Sequence, residues 1–126
     1  MRILIVGLLA VAGCTAAVPI EGPSAAFSAA VSGRVAGEVR TCVPRIGRSS
    51  LIAVDSRTLT IDSGNVLWVS RLPSACPGLR PLTTLIVEAT GSDYCRGDLF
   101  RTIDPGSSIP GPTCVLTDFT AYRKIR

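Results

Sequence analysis

Four of the five cysteines constrain the fold of this chain more than any other feature. The chain has 126 residues, enough for one domain with a small core. An even number of cysteines in a small domain from an oxidising compartment commonly forms disulfides, which add stability that a small core lacks. We therefore expect two disulfides among Cys42, Cys76, Cys95 and Cys114.

The pairing of these cysteines is open at the level of the sequence, because several connectivities are allowed. We expect Cys42 to pair with Cys114, which would close the domain from end to end. Cys76 would then pair with Cys95 and close an inner loop. The disulfides should contribute about 2–4 kcal/mol each to the free energy of unfolding.

Metal and cofactor binding are not expected from the composition. No two cysteines have the C-x-x-C spacing of a zinc site or a redox motif. The chain contains no histidine, which is the most common metal ligand and the most common general base. We expect no metal site and no cofactor.

The segments between the cysteines have the pattern of short β-strands. Apolar or alternating runs end in turn sequences such as "DSGN" (62–65) and "DPGSSIPGP" (104–112). Helical spacing is not evident among them. The pattern predicts an all-β fold, a small antiparallel sheet curled into a barrel or sandwich and cross-linked by two disulfides. The predicted strands are 50–54, 58–61, 66–70, 83–89, 98–103 and 114–123.

Charge and hydrophobic content exclude two classes of protein. Hydrophobic residues make up 47% of the chain and charged residues 17%, which is not the composition of a disordered chain. The formal net charge is +4, but the basic residues are spread out apart from "YRKIR" at 122–126. The basic block and interleaved aromatic residues typical of nucleic-acid binding are missing, so no nucleic-acid partner is expected.

The first residues read as a secretory leader. Arg2 precedes an apolar run from Ile3 to Ala12, which is too short to cross a bilayer as a helix. The run ends in Val11, Ala12, Gly13 and Cys14, which resembles a bacterial lipobox. The alternatives are an ordinary signal peptide that is cut at another small-residue site, such as after Ala17, and an anchor that is not cleaved.

The lipobox resemblance implies a lipid anchor and a location. Residues 1–13 would be a lipoprotein signal peptide, and Cys14 would carry a diacylglycerol on its sulfur and an acyl chain such as palmitate on its new amino group. Several acyl chains hold a protein stably on a membrane, whereas one does not. In such lipoproteins an Asp after the cysteine favours the inner membrane, so Thr15 points to the outer membrane, facing the periplasm.

A stretch rich in Ala, Ser, Gly and Pro follows Cys14. We interpret 14–38 as the lipidated cysteine and a flexible tether, and 39–126 as the disulfide-bonded β domain. Two alternatives remain for the tether. The sequence "SAAFSAAVSGRVA" (24–36) can form a short helix because it is rich in alanine, or the segment can bind a partner and fold on contact.

Residues 40–122 resemble an uncharacterised family of small exported bacterial proteins, classed as a domain of unknown function. The resemblance brings no activity, because the family has none assigned. It rests on the order and spacing of five short motifs, which here are Cys42-Val43, Asp55 with Arg57 and Thr58, "CPGL" at 76–79, "GSDYCRGD" at 91–98, and Cys114.

Asp55, Arg57 and Asp98 are the weak candidates for a ligand-binding or catalytic role. Each also has an ordinary structural interpretation, in which Asp55 and Arg57 form a turn and Asp98 bonds backbone near a disulfide. The chain has no G-x-S-x-G or S-x-x-K motif, and a Ser-His-Asp triad is excluded without histidine. We therefore predict no catalytic residue and no enzymatic activity.

Taken together, the sequence indicates a non-enzymatic envelope lipoprotein. It would act as a binding or accessory module on the outer membrane, with an envelope protein or cell-wall material as its partner. One alternative is a cell-wall-acting enzyme or enzyme inhibitor, which would need Asp55, Arg57 and Asp98 to converge in a pocket. The other alternative is a soluble periplasmic protein with an ordinary signal peptide.

Overall fold

A computed structural model of the protein describes residues 12–14, 22–45 and 50–125. Within these ranges the chain forms one short helix, α1 (Ala25–Ala30), and ten strands. The strands are β1 (Arg34–Arg40), β2 (Cys42–Pro44), β3 (Ile52–Asp55), β4 (Thr58–Asp62), β5 (Val66–Arg71), β6 (Thr84–Glu88), β7 (Asp93–Cys95), β8 (Leu99–Ile103), β9 (Cys114–Val115) and β10 (Phe119–Lys124).

The strands form three antiparallel sheets. The largest has five strands in the order β1-β10-β5-β4-β3, a second pairs β2 with β7, and a third has the order β6-β8-β9. The described strands pack as a sandwich and do not close into a barrel. This confirms the prediction of a small all-β fold and selects the sandwich over the barrel.

The hairpin of β4 and β5 forms where the alternation of apolar and polar residues predicts it. Leu59 and Ile61 point to one face of the large sheet, and Ile61 lies opposite Trp68 of β5. Between the strands, Gly64 has a φ of +86°, a conformation that glycine adopts without strain. Its N–H donates to Asp62 Oδ1 at 2.8 Å. The turn chemistry of "DSGN" is therefore confirmed.

One hydrophobic core lies between the sheets. Trp68, with 6% of its surface exposed, is part of this core, as its position in an apolar strand predicts. All three sheets contribute fully buried side chains, so neither small sheet is an independent unit. The core side chains with almost no exposed surface include Phe119, Leu59 and Ile61 of the large sheet, Val43 of β2, Phe100 of β8, and Leu116.

Helix α1 covers the opposite face of the large sheet. Phe27 is buried against Leu67 and Val69 of β5. Its ring also meets Tyr122 edge-on, with 6.1 Å between the centroids. The helix begins at Ser24, whose hydroxyl accepts the N–H of Phe27 at 3.0 Å.

The predicted tether over 14–38 is therefore wrong from Ser24 onward. Ala25–Ala30 is the helix that the sequence left as an alternative, and Arg34–Arg40 is an edge strand paired with β10. The physical reason is that a single aromatic side chain, Phe27, provides enough apolar surface to hold a short alanine-rich helix on a sheet. Any tether is confined to residues before Ser24, and 15–21 lie outside the described residues.

The disulfide pairing differs from the expected one. Cys42 is bonded to Cys95, and Cys76 to Cys114. Cys42 and Cys95 lie directly opposite each other on β2 and β7, where the antiparallel register brings their side chains together. End-to-end closure by Cys42 and Cys114 is not needed, because the backbone ladder of β1 and β10 already joins the two ends of the domain.

The last predicted strand, 114–123, is also interrupted. It divides into β9 and β10, with residues 116–118 between them. Thr117 causes the interruption through hydrogen bonds to the end of β5. Its N–H donates to Ser70 Oγ at 3.1 Å, and its hydroxyl donates to the carbonyl of Arg71 at 2.9 Å.

Candidate functional site

Asp55 and Arg57 form the turn between β3 and β4. Asp55 Oδ1 accepts the backbone N–H of Arg57 at 2.8 Å. The guanidinium of Arg57 then crosses to the segment after β5, where Nε donates to the carbonyl of Leu72 at 3.0 Å and Nη2 to that of Pro73 at 3.2 Å. These contacts match the structural interpretation of both residues.

Asp55 also joins the sheet to the helix, because its Oδ2 accepts a hydrogen bond from the hydroxyl of Ser24. Burial disfavours the ionised carboxyl, but the hydrogen bonds from Ser24 and the N–H of Arg57, with the nearby charge of Arg71, outweigh it. The pKa of Asp55 is therefore lowered below its ordinary value of 3.8.

Asp98 lies in a different turn, between β7 and β8. It is buried, with 6% of its surface exposed, and its Oδ2 accepts the N–H of Cys95 at 2.8 Å. This is the predicted bond to backbone beside a disulfide. Asp98 is not among the residues that line a cleft with Asp55 and Arg57, so the structure does not bring the three candidates into one pocket.

A different group of side chains forms a polar cleft at one end of the large sheet. We call it the arginine cleft. Its volume is about 370 Å³, at the lower end of the range for small-molecule sites. It is lined by Arg57, Arg71, Leu72, Pro73, Arg96, Thr117 and Asp118.

Arg71, the last residue of β5, is the central side chain of this cleft. It also lines two adjoining depressions of about 300 and 410 Å³. Its guanidinium carbon lies 4.3 Å from the centroid of the Phe27 ring, so the helix supports it by a cation–π contact. Its Nε is buried and has no hydrogen-bond partner among the described residues.

Arg96 and Asp118 form the outer wall of the cleft. Arg96 Nη1 lies 3.4 Å from Asp118 Oδ2, and the side chains are 64% and 37% exposed. The other oxygen of this carboxylate, Oδ1, is buried and has no hydrogen-bond partner in the described part of the chain. Arg71 Nε and Asp118 Oδ1 are therefore two buried polar atoms of lining residues that the described protein atoms leave unsatisfied.

Sequence reasoning missed Arg71, Arg96 and Asp118. They come from the end of β5, the turn after β7 and the segment after β9, which are far apart in the chain. The nearest signal is the end of the apolar run "VLWVS" at Arg71, but strand ends commonly carry charged residues. Only the packing of the sheets brings these side chains together.

Cys14 is exposed and has a free thiol, whereas the other four cysteines are in disulfides. Val11, the first residue of the lipobox-like sequence, lies outside the described residues. Across 12–14, 22–45 and 50–125, no helix has the length and apolar character needed to cross a bilayer. The same ranges contain no group of three or more His, Cys, Asp or Glu side chains that could hold a metal ion.

Comparison with known proteins adds no relative to this description. No protein-family model, curated protein or solved structure matches the chain. The resemblance to a family of exported bacterial proteins stays a prediction from the motifs.

Proposed function

We propose that the protein is a non-enzymatic binding module of the bacterial cell envelope, anchored by lipid at Cys14 to the outer membrane and facing the periplasm. The observation that carries the proposal is the state of the cysteines. Four of them pair within the domain, and Cys14 stays exposed and free for modification. Disulfides form and persist in oxidising compartments such as the periplasm, and the sequence around Cys14 resembles a lipobox.

The arrangement of polar groups supports a binding role over catalysis. The carboxylates of Asp55 and Asp98 accept hydrogen bonds from backbone N–H groups and lie in separate turns. A catalytic acid–base pair needs two groups that face one substrate. The arginine cleft instead offers charge and hydrogen-bonding groups suited to holding a ligand.

The mass of the protein purified from a membrane fraction tests the anchor. We expect a chain that begins at Cys14 and carries a diacylglyceryl group and an added acyl chain. We also expect that no thiol reacts with a blocking reagent until the disulfides are reduced. A chain that begins elsewhere and carries no lipid would overturn the anchor and favour the soluble periplasmic alternative.

Two substitutions make the test specific. Cys14→Ser should leave the protein without lipid and should abolish its membrane association, while both disulfides still form. Thr15→Asp should keep the lipid but move the protein to the inner-membrane fraction. If Thr15→Asp leaves the distribution unchanged, the assignment to the outer membrane loses its basis.

A further inference from the structure

We propose that the arginine cleft binds the phosphate ester of a small polyol, with the phosphate held by Arg71 and Arg96 and a hydroxyl of the polyol donating to Asp118. This proposal names the ligand chemistry of the binding module proposed above. It does not depend on the lipid anchor or on the location of the protein.

The charge of the cleft favours an anion. Three arginines face one aspartate among the lining residues, and a concave site concentrates this positive charge. Asp55 lies nearby and partly offsets the charge of Arg71. Asp118 offsets the charge of one arginine, Arg96, so the lining keeps an excess of positive charge.

The arginines are held in position for recognition of an oxyanion. Arg71 is supported by the ring of Phe27, and Arg57 is held by two backbone carbonyls. A planar guanidinium matches the spacing of phosphate oxygens, and a guanidinium held in place loses little entropy on binding.

The carboxylate of Asp118, whose side chain is 37% exposed in the cleft lining, indicates the second part of the ligand. An ionised carboxylate accepts hydrogen bonds and cannot donate one, so it repels a bare phosphate but accepts a hydroxyl. A ligand with a phosphate and a neighbouring hydroxyl therefore matches the guanidinium of Arg71 and the carboxylate of Asp118, which line the same cleft. Glycerol phosphate is the simplest such group, and it occurs both as a free ester and in a lipid headgroup.

Titration of the oxidised full chain with glycerol 3-phosphate at low ionic strength tests the site. Nuclear magnetic resonance would follow the Arg71 Nε–H signal and the backbone N–H signals of Thr117 and Asp118. We expect saturable shifts of these signals, weaker binding of inorganic phosphate and no binding of glycerol. Binding that does not saturate, or shifts distributed over all surface arginines, would overturn the proposal.

Two exposed arginines provide a matched pair of variants. Arg96 forms an ion pair with Asp118 and is 64% exposed, while Arg80 forms one with Asp104 and is 61% exposed. Arg96→Gln should weaken glycerol 3-phosphate binding about tenfold, and Arg80→Gln should leave it within about twofold. Equal effects of the two substitutions would show that only net charge matters and would overturn the site.

Two further substitutions test the individual roles. Arg71→Lys keeps the charge but loses the planar fork, so we expect about tenfold weaker binding in a protein that still folds. Asp118→Asn should strengthen the binding of inorganic phosphate and reduce the preference for glycerol 3-phosphate over it. An unchanged preference would overturn the part of the proposal that concerns the hydroxyl.

Vesicles of phosphatidylglycerol distinguish the two sources of the ligand. If Arg96→Gln weakens binding to vesicles as much as binding to the free ester, the headgroup enters the same cleft. If the free ester alone binds in this way, the ligand is a soluble ester. Both results support the site. Cys14→Ser removes the lipid anchor and should change the binding of neither the vesicles nor the free ester. The proposal of the lipid anchor and the proposal of the ligand site can therefore fail separately.

Discussion

At the scale of single residues, Ser24 and Asp55 join two parts of the chain that the sequence separates. The hydroxyl of Ser24 accepts the N–H of Phe27 and donates to the carboxylate of Asp55. One side chain therefore caps the helix and links it to the turn between β3 and β4. These two hydrogen bonds of Ser24 are the smallest set of contacts that explains why α1 lies on the sheet.

Ser24→Ala should lower the free energy of unfolding by about 1 kcal/mol, because an unsatisfied helix N–H and a lost hydrogen bond to a carboxylate both destabilise the folded state. Chemical denaturation measures the change. Ser28→Ala is the control, because Ser28 is exposed on the same helix. An equal loss in the control would contradict the role of the cap.

Asp55 should make stability depend on acidic pH. Its pKa in the folded protein is lowered below the ordinary 3.8, because hydrogen bonds from Ser24 and the N–H of Arg57 outweigh the effect of burial. The stabilisation is thus fully present above the ordinary value and is lost as the pH falls through the lowered pKa. Chemical denaturation at a series of acidic pH values measures this loss. The plot of the free energy of unfolding against pH should be flatter for Asp55→Asn than for the unmodified protein.

Glu88→Gln is the matched control for this pH dependence, because Glu88 is an exposed carboxylate on β6. This substitution should leave the dependence of the free energy of unfolding on acidic pH unchanged. Glu38 also has a lowered pKa, through its hydrogen bond to Arg123 and despite some desolvation, so a residual slope is expected in both variants. An unaltered slope in Asp55→Asn would refute the contribution of Asp55.

At the scale of elements, α1 is too short to be stable by itself and depends on its contact with the sheet. Phe27 supplies that contact, and its ring also supports the guanidinium of Arg71. The helix therefore links the outer face of the sheet to the arginine cleft. Loss of the helix should affect the cleft without unfolding the core on the opposite face.

Phe27→Ala should release α1 and lower the free energy of unfolding by about 3 kcal/mol. Hydrogen exchange locates the effect. The N–H of Val31, which donates to the carbonyl of Phe27 at 3.1 Å, should lose protection, whereas amides shared by β4 and β5 should keep it. Phe27→Leu should have a smaller effect, and protection of Val31 in Phe27→Ala would contradict this account.

At the scale of the whole molecule, two disulfides and one backbone ladder link distant parts of the chain. The bond from Cys42 to Cys95 joins the strands of the smallest sheet, and the bond from Cys76 to Cys114 joins the loop after β5 to β9. The ladder of β1 and β10 brings the ends of the domain together. Each of these three links therefore connects a different pair of segments.

Removal of either disulfide by paired serine substitutions should cost about 4 kcal/mol, because the sequence separations of 53 and 38 residues close loops of similar entropy. Proteolytic mapping without reduction should recover peptides that join Cys42 to Cys95 and Cys76 to Cys114. Recovery of a peptide that joins Cys42 to Cys114 would restore the pairing expected from the sequence and contradict the sheet register.

Strands with strong apolar patterns were predictable, and weak ones were not. The runs that became β3, β4, β5, β6 and β8 carry enough apolar residues to specify a strand, although no residue of β6 is fully buried. β1 has every residue at least partly exposed, and β2 and β7 have three residues each, so their strand geometry comes from partners rather than from their own pattern. Helix α1 was only an alternative, because its burial depends on one phenylalanine.

The sequence by itself determined the all-β class and the presence of disulfides among four cysteines, and it offered turn roles for Asp55, Arg57 and Asp98 beside a ligand-binding one. Local pattern and composition are sufficient for these properties, because strand alternation and turn chemistry act over a few residues. Only the tertiary structure decided the cysteine pairing, the docking of α1 and the grouping of Arg57, Arg71 and Arg96 around one cleft. These depend on the order in which strands lie side by side, which follows from the free energy of packing the whole core and not from any one segment.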